Sequence, residues 1–414
     1  MTDEFGPGCG HRKPENFTAS LAADMLDNLE CFNMEVKSVR PVWLTFSIPS
    51  DAVAGNYKSH LKLYAGGRSV EDFEIALDVV DQVLPEPSEW LYHLDLWQHP
   101  SAVARVRNLE VWSDAHFRQM KPLMKMLADA GQKVITATLN KDPWNNQCYD
   151  AYADMIVWTK NKDRSWTFDY TIFDKWVQFM MDLGIDKMIN CYSLLTWNNQ
   201  LHYNDEEKGE LVTLELKAQS KEYAELWSVF LKDFTRHLQS KGWLEKTNIA
   251  MDERAPADMQ AALKVLESAA PELGVSLADN HKSYRQYPWI KDICVGAGDK
   301  VTKKEIAARR DKGLVTTYYV CCADKFPNMF TFSAPAESVY AAWHAVAADF
   351  DGFLRWAYNS WVENPLTDSR FRTWPAGDTY MVYPDARSSI RFERLVEGIQ
   401  DVEKIRVLRK RYSE

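Results

Sequence analysis

The chain has 414 residues, a net charge of −10 and 46% hydrophobic residues, which suffices for one large buried core and a second small one. Its lysines and arginines form no cluster along one face, so nucleic acid is not an expected partner. No apolar run is long enough to span a bilayer. The seven cysteines are scattered without zinc-like spacing, and we expect neither a metal nor an organic cofactor.

Residues 1–85 are predicted to form a small antiparallel β module. Turn signals separate three segments that alternate or run apolar, namely Val42–Ile48, Tyr57–Tyr64 and Phe73–Val80. A closed sandwich typically needs about seven strands. We therefore expect an incomplete β-sandwich, which either follows further sequence or packs its bare face on the next domain. The two prolines of Leu84-Pro-Glu-Pro87 mark the linker, because they continue neither a strand nor a helix interior.

Residues 86–414 alternate between strand and helix patterns, which is typical of a parallel sheet. The eight predicted strands are Leu91–Trp97, Lys133–Leu139, Lys187–Ser193, Thr247–Glu253, Val275–Asn280, Ile293–Val295, Val315–Cys321 and Gly352–Trp361. The predicted helices are Ser113–Ala130, Tyr170–Leu183, Ser220–Lys241, Ala257–Ala270, Lys303–Lys312, Pro335–Ala348 and Arg387–Tyr412. This pattern predicts an α/β fold with a (β/α)8 barrel of the TIM type.

The chain is organised around Thr247–Arg254, a predicted strand that ends in the adjacent acids Asp252 and Glu253. Chemistry in α/β barrels is located at the carboxyl ends of the strands. Strand alternation sends neighbouring side chains to opposite faces, so both acids can face one pocket only where the strand is ending. Acids in the first turn of a following helix are the structural alternative.

Polar and aromatic side chains follow seven of the eight predicted strands. The chain has 16 tryptophans and 18 tyrosines, and rings on loops suit a ligand with apolar faces and a hydroxylated rim, such as a sugar. The candidates for substrate binding are Asp95, Trp144, Tyr192, Trp197, Asn280, His281, Tyr318, Tyr319, Trp356, Tyr358, Asn359 and Trp361.

Four segments resemble glycoside hydrolase family 123: Leu94-Asp-Leu-Trp-Gln-His-Pro100, Ala250-Met-Asp-Glu-Arg254, Thr316-Thr-Tyr-Tyr319 and Leu354-Arg-Trp-Ala-Tyr-Asn-Ser-Trp361. Members of that family are exo-acting retaining β-N-acetylgalactosaminidases with a β-sandwich before a (β/α)8 barrel. The resemblance extends from about Val42 to the end of the chain. The short amino-terminal module departs from the fuller sandwich of the longer members.

The resemblance implies substrate-assisted catalysis, with Glu253 as general acid/base and Asp252 as the carboxylate that orients the 2-acetamido group of the substrate. A conventional retaining pair needs two carboxylates about 5 Å apart on opposite sides of the scissile bond. Neighbours on one strand tip do not easily flank a sugar in this way. They can place one acid at the glycosidic oxygen and the other at the acetamide nitrogen.

The other candidates each have a structural alternative. Tyr318 or Tyr319 could donate to the acetamide oxygen or simply pack. Trp356 and Trp361 could wall the acetamide methyl group, and Trp144 and Trp197 could form a platform or only anchor their loops. Asn280 and His281 could contact a hydroxyl group, or His281 could be a loop histidine whose hydrogen bonds are satisfied within the protein. For Asp95 we prefer an ion pair with Arg355 to a contact with sugar hydroxyls.

The expected substrate is a glycan with a terminal β-linked N-acetylgalactosamine. A hydrolase of another amino sugar, such as β-N-acetylglucosamine, and a barrel that binds glycans without cleaving them remain open. The start, Met1–Pro14, is polar and carries no apolar signal core. The family resemblance nevertheless suggests a periplasmic or secreted protein.

Overall fold

The structure, a computed structural model, describes residues 20–412. The chain divides into two compact units, one formed by Leu29–Glu86 and the other by the chain on either side of it. In chain order the strands are β1 (Gly55–Ala65), β2 (Arg68–Val79), β3 (His93–Leu96), β4 (Val134–Thr138), β5 (Val157–Lys160), β6 (Trp166–Asp169), β7 (Met188–Tyr192), β8 (Gln200–Asp205), β9 (Glu210–Glu215), β10 (Thr247–Asp252), β11 (Gly274–Asp279), β12 (Asp292–Gly296), β13 (Val315–Tyr319) and β14 (Gly352–Arg355).

The helices include all seven that the sequence predicts, with ends shifted by a few residues. They are α1 (Pro100–Arg107), α2 (Asp114–Asp129), α3 (Thr171–Asp182), α4 (Lys221–Lys241), α5 (Pro256–Ala269), α6 (Ser283–Gln286), α7 (Lys303–Arg310), α8 (Pro335–Ala347) and α9 (Ile390–Tyr412). Short 3-10 helices span Pro87–Glu89, Leu244–Lys246 and Pro384–Ala386. Side-chain caps explain several starts, since Ser113 and Ser220 accept from backbone N–H groups three residues on.

The smaller unit contains one antiparallel sheet of two strands, β1 and β2. The predicted segments Tyr57–Tyr64 and Phe73–Val80 correspond to β1 and β2, but the segment Val42–Ile48 forms no strand, and that part of the prediction is wrong. The side chains of Val42–Ile48 are exposed, so packing against a neighbouring strand does not stabilise an extended conformation there. Residues 20–28, which the sequence grouped with this module, belong to the larger unit: Asp24 pairs with the buried Arg391 at 2.8 Å.

The larger unit is built on an eight-stranded parallel sheet in the order β3-β14-β13-β12-β11-β10-β7-β4. The two end strands approach each other, because the N–H of Lys133 donates to the Leu94 carbonyl at 3.0 Å. The sheet is therefore nearly closed and helices flank it, which confirms the predicted TIM-like α/β fold. Gly352 starts β14 where a Cβ atom would lie 1.9 Å from the His93 carbonyl, so no side chain fits there.

The barrel strands are buried because both faces are covered, and they read as nearly continuous apolar runs. Every residue of β4 and β7 is buried. A second sheet, with the order β6-β5-β8-β9, was not predicted. Its Trp158 packs on α4, with the ring 4.6 Å from that of Phe230. Within residues 20–412, no helix has the length and apolar character that crossing a membrane requires.

Candidate active site

The two adjacent acids lie at the carboxyl end of β10. Asp252 is the last residue of that strand, and Glu253 follows it with a φ of 45°. The N–H of Glu253 donates to the Ala278 carbonyl of β11 at 2.9 Å, which fixes the backbone here. A left-handed residue ends the strict alternation of a strand. The hydrogen bonds of Asp252 with Trp144 and of Glu253 with Tyr319 place both side chains in one mouth.

Asp252 is half-buried and receives an indole hydrogen bond. The Nε1 atom of Trp144 donates to its Oδ2 atom at 2.9 Å. Burial, and after it the charge of Glu253, raise the pKa of Asp252 from 3.8 to about 7. Hydrogen bonds from Trp144 and Trp197 and the charge of Arg254 oppose this rise in pKa. The carboxyl group therefore changes protonation near neutral pH, as groups in functional sites often do.

Aromatic rings close the floor of the mouth around Asp252. The ring of Trp144 lies 4.9 Å from those of Trp97 and Tyr192 and 4.6 Å from that of Tyr152. All four rings are buried, and small or apolar residues complete the cluster, namely Cys148, Ala250, Ala278, Cys294 and Leu354. The floor is an apolar surface with one carboxylate at its edge, which suits an apolar group beside a polar one.

The loop after β4 holds Trp144 in place. The carboxylate of Asp142 accepts from the N–H of Trp144 at 3.3 Å and from that of Asn146 at 2.6 Å. Aspartate commonly nucleates such turns through its own side chain. The neighbouring loop is joined to this one, because the N–H of Trp197 donates to the Pro143 carbonyl at 2.8 Å. Trp144 is thus a rigid part of the site.

Glu253 is exposed, and its partner comes from across the mouth. The hydroxyl of Tyr319, the last residue of β13, donates to the Oε1 atom of Glu253 at 2.5 Å. Two strands, β11 and β12, separate β13 from β10 in the sheet. Burial, followed by the charge of Glu253, raises the pKa of Tyr319, so the phenol stays protonated and donates.

The remaining rim residues are less enclosed. Trp356, which follows β14, is half-buried and packs against the aromatic floor. Trp197 keeps 36% of its surface exposed. Asn280 and His281 are exposed on the loop after β11, where the buried Asp279 accepts from the N–H of His281 at 2.9 Å. These four side chains border the mouth without forming its floor.

Tyr318 lies outside the mouth, which corrects the prediction for this residue. Its side chain is fully buried, and its hydroxyl donates to the Ala341 carbonyl of α8 at 2.6 Å. Strand alternation explains the difference, because Tyr319 faces the mouth and its neighbour must face the surrounding helices. Of the two tyrosines, only Tyr319 remains a candidate for the site.

The segment after β14 requires a second correction. The predicted strand extends to Trp361, but β14 ends at Arg355. Tyr358, Asn359 and Trp361 are each at most 2% exposed. Their polar groups donate to backbone carbonyls of Leu123, His99 and Val382, respectively. These three side chains anchor the loop, and the structure does not bring them to the acid pair.

Asp95 does not pair with Arg355, and this preferred interpretation is wrong. Arg355 instead binds Asp378 at 2.9 Å, with both side chains fully buried. Asp95 lies inside the barrel, where Gln132 donates to it at 3.4 Å. Burial, with a contribution from the charge of Asp292, raises its pKa well above the usual value. Asp95 is therefore a buried carboxyl group within the barrel, where its charged form is disfavoured, rather than a rim contact for sugar hydroxyls.

Sequence reasoning missed Tyr152 and Arg254. Tyr152 supports Trp144 from within the long segment between β4 and β5, which carries no regular pattern. Arg254 donates to Asn199 at 3.1 Å and lies 3.8 Å from Asp258. It therefore joins the acid pair to the loop after β7 and to the start of α5. Its position beside Asp252 and Glu253 was the available signal. Within residues 20–412, no three His, Cys, Asp or Glu side chains are grouped to hold a metal ion.

Comparison with known proteins identifies related chains. The family model of the glycoside hydrolase 123 catalytic domain matches residues 97–408, and that of the glycoside hydrolase 123 N-terminal domain matches residues 1–65. A solved family 123 glycoside hydrolase from Clostridium perfringens is 32% identical, with 88% of this chain and 68% of that chain covered and a TM-score of 0.82. A search among curated proteins finds no match.

More distant structures share lower similarity and carry no argument about function. They include the endo-β1,6-glucanase BT3312, at 6% identity, 75% and 76% coverage of the two chains and a TM-score of 0.44. The maltogenic α-amylase AmyB from Thermotoga neapolitana has 11% identity, 75% and 76% coverage and a TM-score of 0.42. The catalytic-domain match covers most of the chain and includes the barrel mouth that holds the acid pair. The chain belongs to glycoside hydrolase family 123.

Proposed function

We propose that this glycoside hydrolase removes terminal β-linked N-acetylgalactosamine by exo-acting, retaining, substrate-assisted catalysis. The main observation in support of this proposal is that two consecutive carboxylates lie in different environments. Asp252 is half-buried against an aromatic floor and bound by Trp144, whereas Glu253 is exposed beside it. Consecutive residues on one strand tip are poorly suited to flank a sugar ring as a nucleophile and an acid. They suit a division in which one acid meets the acetamide and the other meets the leaving group.

In the proposed first step, the acetamide carbonyl oxygen attacks the anomeric carbon while the glycosidic bond breaks. Glu253 donates its proton to the departing oxygen. Asp252 accepts a hydrogen bond from the acetamide N–H and stabilises the positive charge that develops on the ring being formed. Because the nucleophile belongs to the substrate, its attack gains the advantage of proximity.

In the second step, Glu253 takes a proton from water as the water attacks the anomeric carbon and reopens the oxazolinium ring. Two inversions give net retention. The apolar floor formed by Trp97, Trp144 and Tyr192 suits the acetamide methyl group, and Trp356 suits a face of the sugar. Trp197, Asn280 and His281 are the rim residues that we propose for hydroxyl or leaving-group contacts.

The substrate class that we propose is the glycan of a glycolipid. The solved family 123 enzyme from Clostridium perfringens is described in terms of glycolipid glycan hydrolysis, and it is 32% identical to this chain. The proposal needs no metal or organic cofactor, because the substrate supplies the nucleophile and the two carboxyl groups supply the proton transfer and the charge stabilisation.

A panel of nitrophenyl glycosides tests the proposed function. We expect turnover of β-N-acetylgalactosaminide and essentially none of β-galactoside, because the latter lacks the internal nucleophile and leaves the buried acetamide contacts unpaired. β-N-acetylglucosaminide in the same panel measures discrimination at the 4-hydroxyl group. Comparable rates for β-galactoside and β-N-acetylgalactosaminide would refute substrate assistance. Binding of these sugars without any turnover would indicate a glycan-binding barrel.

A further inference from the structure

The roles proposed for the two acids assign no function to the hydrogen bond between Tyr319 and Glu253. It joins the ends of two strands that are not neighbours, β13 and β10. The phenol hydroxyl is the donor and a carboxyl oxygen the acceptor, with 2.5 Å between the two oxygen atoms. Such a bond fixes the orientation of an otherwise exposed and rotatable side chain.

The strand tips between the two residues leave room for this contact. Gly296 ends β12 in register with Tyr319, and a Cβ atom placed there would lie 3.7 Å from both Cζ and Oη of the tyrosine. The phenol ring therefore lies beside the glycine on its way across the mouth. The carbonyl of Ala278 in β11 holds the backbone of Glu253 on the other side of this gap. The glycine at the end of β12 permits the reach of Tyr319.

The donor of this contact and the backbone of its acceptor are fixed independently of substrate. The ring of Tyr319 packs against the aromatic floor, and its main chain is paired with β12. Glu253 has a backbone held by β11, so its exposed side chain is the adjustable part. A bond from a fixed donor to the Oε1 atom leaves the other carboxyl oxygen, Oε2, directed elsewhere.

We propose that Tyr319 is a positioning residue that aims the carboxyl group of Glu253 at the glycosidic oxygen of the substrate. The proposal rests on the function proposed above, in which Glu253 is the general acid. Tyr319 occupies Oε1 through its hydroxyl, and Oε2 carries the proton to the leaving group. Its effect therefore belongs to bond breaking at the leaving group rather than to binding of the acetamide.

The test is Tyr319→Phe, which removes the hydroxyl and keeps the ring. For substrates with poor leaving groups, we expect kcat/KM to fall about tenfold, as for the loss of one hydrogen bond. For 2,4-dinitrophenyl glycosides we expect less than about a twofold change, because little protonation is needed at that oxygen. Affinity for a thiazoline analogue of the cyclised intermediate should be unchanged, since it has no leaving group.

The matched control is Tyr318→Phe, which removes the hydroxyl of the neighbouring tyrosine. That hydroxyl bonds to Ala341 in the core, so this change should lower the unfolding temperature without any dependence on leaving group. In a Glu253→Gln background, Tyr319→Phe should add no further loss, because the two residues act as one unit. An additive loss would contradict the proposal.

Other outcomes separate this inference from the proposed function. An equal loss of Tyr319→Phe on both substrate types, or weaker thiazoline binding, would place Tyr319 at the acetamide and overturn the positioning role. The absence of any loss would also overturn it. If Glu253→Gln itself shows no dependence on leaving group, the general-acid assignment fails. If Glu253→Gln shows that dependence and Tyr319→Phe does not, only the role of Tyr319 is wrong.

Discussion

The floor of the barrel mouth, which holds Asp252, is closed by aromatic rings, whereas the rim, where Glu253 lies, is open to solvent. The two acids are consecutive residues, but their partners differ in kind. Asp252 receives a rigid indole donor from a loop that is itself held by Asp142. Glu253 receives a phenol from the far side of the mouth.

The difference shows how one strand tip can provide two kinds of carboxyl group. A buried site disfavours the charged carboxylate and raises its pKa toward neutral, and a positive charge that develops beside the carboxyl group then favours its ionised form. An exposed carboxyl exchanges protons readily with water, which suits a group that must give a proton and recover one in each cycle. The single left-handed residue at Glu253 makes this separation possible within one turn.

The largest expected effect that separates the floor from the rim is that of Asp252→Asn. This change keeps the shape but removes the charge that stabilises the oxazolinium ion, and such electrostatic contributions are worth about a hundredfold in rate. We expect a similar loss for good and poor leaving groups, together with weaker binding of the thiazoline analogue. The measurement is kcat/KM on both substrate types beside Glu253→Gln, whose loss should be concentrated on poor leaving groups.

The two acids exchange roles if Asp252→Asn instead shows the leaving-group dependence. A stable covalent adduct on Asp252 after treatment with a 2-fluoro sugar, detected by mass spectrometry, would indicate a conventional nucleophile. That result, together with a lack of affinity for the thiazoline, would refute the hypothesis of substrate-assisted catalysis.

A second, smaller effect concerns the stability of the floor. A pKa of Asp252 raised from 3.8 to about 7 means that the folded protein holds this proton more tightly than the unfolded chain does. The cost of the carboxylate to stability is therefore absent below about pH 4, grows between pH 4 and 7, and is fully present above. A shift of this size corresponds to about 4 kcal/mol, and we expect about half of it because Asp252 is only half-buried.

Asp252→Asn should accordingly raise the free energy of unfolding by about 2 kcal/mol at pH 8 and by nothing at pH 4. Chemical denaturation at the two pH values measures this difference. If the variant that loses activity is also more stable than the wild type, the charge of Asp252 serves activity at the expense of stability. An equal stability change at both pH values would show that the charge of Asp252 is not its cause.

Much of the barrel follows from local sequence, because buried parallel strands are short apolar runs whose carboxyl ends must share one face. The tip of β10 and the tyrosine at the end of β13 were identifiable for that reason. Prediction fails after Arg355, where the chain leaves the strand and alternation no longer tells which side chains face the mouth. Backbone partners as distant as Leu123 and Val382 then decide their placement.

Long-range pairing also explains the wrong ion pair and the missed second sheet. Arg355 forms its ion pair with Asp378, which lies in a loop whose position cannot be predicted from the sequence, although Asp95 lies on the adjacent strand. The strands β5, β6, β8 and β9 are only four to six residues long, and β6, β8 and β9 include exposed polar positions, so the sequence pattern does not distinguish them from loops. Their burial depends on α4, which contributes Trp227 and Phe230.

The smallest expected effect is that of Trp144→Phe, which keeps a ring in the floor but removes one of the indole donors to Asp252. In the proposed mechanism the acid pair must hold one proton, with Asp252 ionised and Glu253 protonated. Because the pKa of Asp252 is raised to about 7, the pair loses its last proton near that pH, and kcat/KM should fall above about pH 7. Loss of the indole donor raises the pKa of Asp252 further, because that hydrogen bond favours the charged form.

Trp144→Phe should therefore move the alkaline fall of kcat/KM to higher pH while lowering the plateau about tenfold, because the proton resides on Asp252 in more of the molecules. The matched control is Trp361→Phe, since Trp361 is equally buried at 2% exposure and also loses one indole hydrogen bond, to the Val382 carbonyl. That control should lower stability without moving the pH profile. A plateau that falls in Trp144→Phe without a shift of the alkaline limb would mean that Trp144 supports the floor by packing alone, and the distinction between a hydrogen-bonded floor and an open rim would then lose its electrostatic basis.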